Sequence, residues 1–326
     1  MIAGKTKKKN PGIRIFIMLL LIAIDIYALL KFVIAPEAGQ ISAQKCDYQV
    51  QSNPSARIPQ GPSSLASYGG LRSPNAILVR LNDRAIVMKQ NGEEKIYPAS
   101  LTKIMTVIIA IENLRDLNAE IKLSDSMFLE LYDADASMAG FLPGERVSGI
   151  DLIYGAMLPS GAESCIALAD KIAGSEQSFV KLMNKKAAGL GMKDSHFANT
   201  TGLHDKGHYS TVQDLAILLC YALKNDTFRT VFTTARHSIW STNRHPDGIT
   251  LFSKMFTELD GRDITNGEIL GGKTGYTEEA GLCLASLARV DKQEYILVTA
   301  GAKGDSHTEQ YNINDALKAY GSISEK

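Results

Sequence analysis

The stretch Tyr97-Pro98-Ala99-Ser100-Leu101-Thr102-Lys103-Ile104-Met105-Thr106 decides how the chain is read. Pro98 stops the preceding segment, and the apolar-rich run Leu101 to Leu114 contains neither Gly nor Pro. This pattern predicts a helix beginning near Ala99 or Ser100. Residues three apart share a helix face, so Ser100 and Lys103 would sit side by side. A serine hydroxyl is a weak nucleophile until a nearby base takes its proton. A lysine amine can do this once desolvation or neighbouring positive charge lowers its pKa. The helix N-terminus adds donors where an oxyanion would develop. An isolated Ser-x-x-Lys arises easily by chance, so the pair needs partners elsewhere.

Working outward, Ala76–Val79 and Ala85–Met88 flank the polar Asn82-Asp83-Arg84 and read as a β-hairpin. Residues 113–256 read as mostly helical. Apolar positions at helical spacing run through Ile150–Met157, Cys165–Ile172, Phe179–Leu190 and Leu215–Leu223. Strand character returns in Gly281–Ala288 and Tyr295–Ala300, and a last helix covers Ile313–Tyr320. Strands at both ends with helices between predict one α+β domain, its antiparallel sheet drawn from the two ends.

The chain has 326 residues, 45% of them hydrophobic, enough for a sizeable core. Its 35 basic and 35 acidic residues balance, which gives no argument for nucleic acid. Charge is uneven locally: Lys5, Lys7, Lys8, Lys9 and Arg14 precede an apolar run that reaches Ile34, interrupted by Asp25. Asp25 would cost about 3 kcal/mol at a bilayer centre, while each Leu, Ile or Phe returns about 0.3–0.6 kcal/mol. Residues 1–12 therefore read as a cytoplasmic basic tail and 13–35 as an uncleaved signal-anchor. Residues 36–74, rich in Ser, Gly, Pro and Gln, read as a linker, and 75–321 as the catalytic domain. The expected location is the cell membrane, single-pass, with that domain outside. Of four cysteines, Cys165, Cys220 and Cys283 lie in apolar runs and read as small core residues; Cys46 lies in the linker.

Two later stretches offer partners for Ser100. Gly271-Gly272-Lys273-Thr274-Gly275-Tyr276-Thr277 combines a fixed charge, a hydroxyl and glycines that admit close approach, which suits a substrate carboxylate. Gly267 to Thr274 also matches the phosphate-binding pattern GxxxxGK[ST], but no strand-like run precedes it and no helix follows, so the match reads as accidental. The second stretch, Leu158-Pro159-Ser160-Gly161-Ala162-Glu163, lies between two helical runs; a serine there is also a common helix cap.

Together the three motifs resemble the SxxK, SxN and KTG set of penicillin-binding proteins and serine β-lactamases. Phe141–Glu145, His196–Leu203, His208–Thr211 with Asp214–Ala216, and Gly272–Leu284 narrow the resemblance to the serine D-alanyl-D-alanine carboxypeptidases, over about residues 75–321. The resemblance implies the β-lactamase/penicillin-binding-protein-like transpeptidase fold. It implies Ser100 as nucleophile on the terminal D-Ala-D-Ala bond of a peptidoglycan stem peptide, Lys103 as base and Ser160 as proton relay. Lys273 and Thr274 would hold the terminal carboxylate, with Gly275 and Tyr276 in the same substrate-binding strand. Backbone N–H groups of Ser100 and Tyr276 would form the oxyanion hole. Partners would be the stem peptide, β-lactam inhibitors and the membrane, with no cofactor, metal or nucleic acid.

The pattern breaks at position 162, where Ala stands for the motif asparagine that helps orient the lysine and a substrate amide; Glu163 is adjacent, and Asn199 is a candidate neighbour. A membrane-anchored binding or sensing module, catalytically weak or inactive, and a β-lactamase are the alternative readings. Transpeptidation onto an amine is a further possibility. His204 and His208, four apart, would suit zinc only on a helix, and Gly207 argues for surface or loop histidines instead. The tyrosines and Trp240 invite a carbohydrate-platform reading, but aromatic residues are more often core and are read so here, except Tyr276 at the site's rim.

Overall fold

The computed structural model describes residues 70–305 and 307–323. The basic tail, the anchor segment and most of the linker lie outside the described residues, as does Cys46.

In chain order the elements begin with β1 (Asn75–Arg80) and β2 (Ile86–Gln90), then a 3-10 turn Ala99–Thr102 and α1 (Lys103–Asn113). Next come β3 (Glu120–Lys122), α2 (Ser126–Asp133), β4 (Arg146–Ser148), α3 (Gly149–Met157), α4 (Ala162–Ala173), α5 (Glu176–Leu190), α6 (Val212–Ala222) and α7 (Asp226–Phe232). They are followed by β5 (Arg236–Ile239), β6 (Ile249–Phe252), α8 (Lys254–Leu259), β7 (Gly267–Thr277), β8 (Gly281–Val290), β9 (Gln293–Ala302) and α9 (Tyr311–Gly321). The main sheet has the order β2-β1-β9-β8-β7, all antiparallel, so both ends of the domain build it. The expected α+β architecture is present, with the N-terminal hairpin as β1–β2.

Alternate residues of each central strand enter different cores. Ile77, Val79, Ala285, Leu287, Ile296 and Val298 face the helical layer. Ala76, Leu78, Leu284, Ala288 and Leu297 face α8 and α9, meeting Met255, Leu259, Ile313, Ala316 and Tyr320. Burial on both faces explains why these strands read as continuous apolar runs. At the centre of the helical layer, α1 is buried from Lys103 through Ala110, as an all-round apolar helix must be.

The structure amends the sequence reading in several places. The expected helix starts with a 3-10 turn, and the helical middle also holds two small sheets, β3–β4 and β5–β6. The run Gly267 to Thr274 lies inside β7, paired antiparallel with β8, so the phosphate-loop pattern has no strand-to-helix turn to work with. Residues 70–74, read as linker, meet the domain: Arg72 and Ser73 donate their backbone N–H groups to Asp315 on α9 at 2.8 and 2.7 Å. Cys165, Cys220 and Cys283 are buried free thiols. His208 is not a surface histidine but 2% exposed, and Trp240 is not core but 91% exposed.

Candidate active site

The turn carrying Ser100 is held in place by backbone contact from two sides. Ala99 adopts φ +46°, and Gly202 packs so closely that a Cβ there would lie 1.8 Å from the Ala99 carbonyl oxygen. From β7, a Cβ on Gly275 would lie 3.1 Å from the Ser100 nitrogen. Glycine is required at 202 both for its φ of +83° and for this approach. His208 supplies a third restraint. Its Nδ1 accepts from the Ala198 N–H at 3.4 Å, leaving Nε2 to donate to Thr102 Oγ1 at 2.8 Å. Burial lowers the His208 pKa to about 4, which keeps the ring neutral and this donor pattern intact.

Lys103 Nζ lies 3.0 Å from Ser100 Oγ and donates to the Thr201 carbonyl at 2.8 Å. The side chain is buried, and burial lowers its pKa to about 8, with the charge of Lys254 adding to the fall and Glu163 opposing it. An amine so placed is within reach of the hydroxyl proton and is neutral in part near neutrality. Lys273 is buried too, and its Nζ donates to the Thr274 carbonyl at 2.8 Å. Burial pulls its pKa well below the usual lysine value, with Lys103 and Lys254 acting in the same direction.

Ser100, Lys103, Ser160, Thr274, Gly275 and Tyr276 line one cleft of about 710 Å³. Tyr276 is 39% exposed, at the rim as expected. Ser160 adopts φ +73° in the loop before α4. Its Oγ is buried and has no hydrogen-bond partner among the described residues, so it is not bonded to Lys103. Ala162 is the first residue of α4 and also lines the cleft, offering only a methyl group. Asn199 does not replace the missing amide. It accepts from Thr201 and Gly202 and donates to the Leu203 carbonyl at 2.9 Å, shaping the loop that presents the Thr201 carbonyl to Lys103.

Several contributors carried no chemical signal in the sequence. Glu163 is buried, and its Oε1 accepts from the N–H groups of Ala139, Gly140 and Phe141 at 2.7, 3.1 and 3.3 Å. It thereby ties α4 to the segment that walls the cleft. Lys254, exposed at the start of α8, lines the cleft and donates to Ser137 Oγ at 3.0 Å. Thr201 contributes only its carbonyl, which no sequence pattern marks. His204 pairs with Glu279 at 3.5 Å while His208 faces Thr102, so the two histidines do not converge.

Comparison with known proteins bears on this arrangement. The family described as D-alanyl-D-alanine carboxypeptidase matches residues 63–304. The D-alanyl-D-alanine carboxypeptidase DacF of Bacillus subtilis is 33% identical over 252 residues, covering 74% of this chain and 62% of that protein. The corresponding DacC of Escherichia coli is 30% identical over 289 residues, covering 80% and 65%. The chain thus spans less than two thirds of the length of these relatives. Among solved structures, a Streptomyces DD-transpeptidase superposes with a TM-score of 0.70 at 25% identity, covering 78% of this chain and 98% of that one.

Proposed function

The chain belongs to the D-alanyl-D-alanine carboxypeptidase family, and on that premise we propose that it is a serine D,D-carboxypeptidase acting on peptidoglycan stem peptides. The observation that carries this reading is the 3.0 Å contact between Ser100 Oγ and a buried lysine whose pKa falls to about 8. Ser100 Oγ attacks the carbonyl carbon of the penultimate D-alanine while Lys103 accepts the hydroxyl proton. The oxyanion that forms is met by the N–H groups of Ser100 and Tyr276, the kind of interaction whose loss costs about 3–4 kcal/mol of barrier. As the C–N bond breaks, the leaving nitrogen takes a proton, with Ser160 Oγ as relay, and terminal D-alanine departs. Water then attacks the ester, Lys103 takes its proton, and Ser100 is restored.

Lys273, Thr274, Gly275 and Tyr276 bind the substrate. β7 is an outer strand of the main sheet, so an extended peptide can lie along it as an added strand. Lys273 and Thr274 then meet the terminal carboxylate. A β-lactam would acylate Ser100 by the same route. Residues 13–35 anchor the enzyme in the cell membrane with the catalytic domain outside; protease digestion of intact and of opened cells tests that placement.

Release of D-alanine from diacetyl-L-lysyl-D-Ala-D-Ala is the direct test, with Ser100→Ala as control. Release that disappears in the variant is the expected result. A second reading, binding or sensing without turnover, rests on Ala162 in place of the motif asparagine, and the family match does not favour it. It predicts a lasting penicilloyl-enzyme with no D-alanine released. Rapid multiple turnover of a chromogenic β-lactam would favour a β-lactamase over both.

A further inference from the structure

The small sheet β5–β6 has two unlike faces. On the inner face Ile239 and Leu251 are buried, and His237 stacks on Tyr154 with ring centroids 3.7 Å apart. Its Nε2 lies 2.7 Å from Asp151 Oδ1. The outer face follows from the register, which sets Arg236 opposite Phe252 and Ser238 opposite Thr250. Ser238 and Thr250 join their hydroxyls at 3.0 Å, Phe252 is 56% exposed, and the alternation carries on to Trp240, which is 91% exposed. Two bare aromatic rings thus flank a hydroxyl pair, with a guanidinium at one end.

This face is rigid rather than frayed. The connection from Trp240 to Gly248 is clasped to the turn 142–146. Thr242 Oγ1 donates to the buried Glu145 at 2.6 Å, Asn243 Nδ2 to the Gly144 carbonyl at 3.1 Å, and Arg244 Nε to the Pro143 carbonyl at 3.2 Å. The face lies close to the cleft, because only the buried Ser253 separates Phe252 from the cleft-lining Lys254.

We propose that the outer face of β5–β6 is a docking surface for the glycan strand to which the stem peptide is attached. Sugar rings present C–H faces that stack on Trp and Phe, and hydroxyls that pair with Ser238, Thr250 and Arg236. Trp240 lies four residues along the strand from the Arg236–Phe252 pair, roughly 14 Å at about 3.4 Å per residue, enough to seat more than one sugar ring. The inference rests on the peptidoglycan reading above, but its binding step needs neither Ser100 nor a peptide.

Trp240 is the chain's single tryptophan, so its fluorescence reports this face alone. The full chain with Ser100→Ala, in detergent, is titrated with peptidoglycan glycan strands stripped of their stem peptides. The expected result is a saturable blue shift or quench of emission. Phe252→Ala keeps the reporter and weakens half-saturation by about tenfold, with an unchanged melting temperature showing that the domain remains folded. A second arm compares D-alanine release from glycan-linked and free peptides, in which Trp240→Ala lowers the preference for the linked form. No emission change with glycan overturns the proposal. So does an equal shift produced by phosphatidylglycerol vesicles alone, which would make the face a lipid contact. A glycan response without D-alanine release would instead sink the carboxypeptidase reading and leave this one standing.

Discussion

Replacing Lys254 by Met removes one of the two lysines that line the cleft, with the buried Lys273 outside its lining. Lys103 faces Lys273 and Lys254 as like charges and Glu163 as an opposite one, beside the buried Cys165 thiol, while Glu258 acts on Lys254 from the same helix and Asp135 also lines the cleft. With its pKa at about 8, roughly a tenth of Lys103 is neutral at pH 7, half at pH 8 and roughly nine tenths at pH 9. Acylation of Ser100 by a fluorescent penicillin should therefore rise about fivefold from pH 7 to pH 8 and less than twofold from pH 8 to pH 9. Since the charge of Lys254 lowers the Lys103 pKa, the Met variant should move this rise to higher pH, slowing acylation at pH 7. Lys103 belongs to a coupled set of lysines, and the shift is read from the whole profile. Stopped-flow acylation rates across pH 6–11 make the measurement. A profile flat between pH 7 and pH 9 would refute Lys103 as the base. A variant whose plateau falls while the rise stays in place would refute the electrostatic link.

Other perturbations have equally definite outcomes. Gly202→Ala drives a Cβ into the Ala99 carbonyl, so β-lactam labelling of Ser100 should be lost and the melting temperature should fall. His208→Phe strands the Thr102 hydroxyl in a buried site at about 1–3 kcal/mol, lowering stability in urea melts; His208→Gln, which keeps a donor, should recover part of the acylation rate. Glu163→Ala leaves three N–H groups without their acceptor and should slow acylation as the cleft wall loosens, whereas Glu163→Gln should retain most of the rate. Lys273→Met should raise KM for the D-Ala-D-Ala peptide far more than it changes the reaction of Ser100 with a small neutral acylating agent.

What the sequence disclosed were features with local causes. Pro98 and the uninterrupted apolar run located α1, and the hairpin β1–β2 followed from two apolar runs around Asn82–Arg84. The central strands were visible because burial on both faces leaves long Val, Ile and Leu runs. The rest depended on tertiary neighbours. β3 to β6 have three or four residues each, too few for a period to emerge. β7 carries four glycines among eleven residues, and its close approach to the turn at Ser100, not a strand pattern, accounts for one of them. His208 follows Asp205, Lys206 and Gly207, which look like surface, and only the fold brings Thr102 against it. Most aromatics go to the core, and nothing near Trp240 in sequence tells that no described residue covers the outer face of β5–β6 at this position. Ser100, Lys103, Lys273 and Thr274 were legible as motifs, while the Thr201 carbonyl and the Glu163 anchor, being backbone and packing effects, were not.

The order of the main sheet also governs when the nucleophile comes into existence. β1 and β2 are made first, but β1 needs β9, and the turn holding Ser100 needs Gly275 of β7 and the loop at Gly202. Pairings so distant along the chain form late and slowly. A nascent chain therefore carries its serine and lysine without the geometry that makes them reactive. The stretch from β7 onward acts as the arming step, and a chain truncated before β7 would be inert toward both peptide and β-lactam.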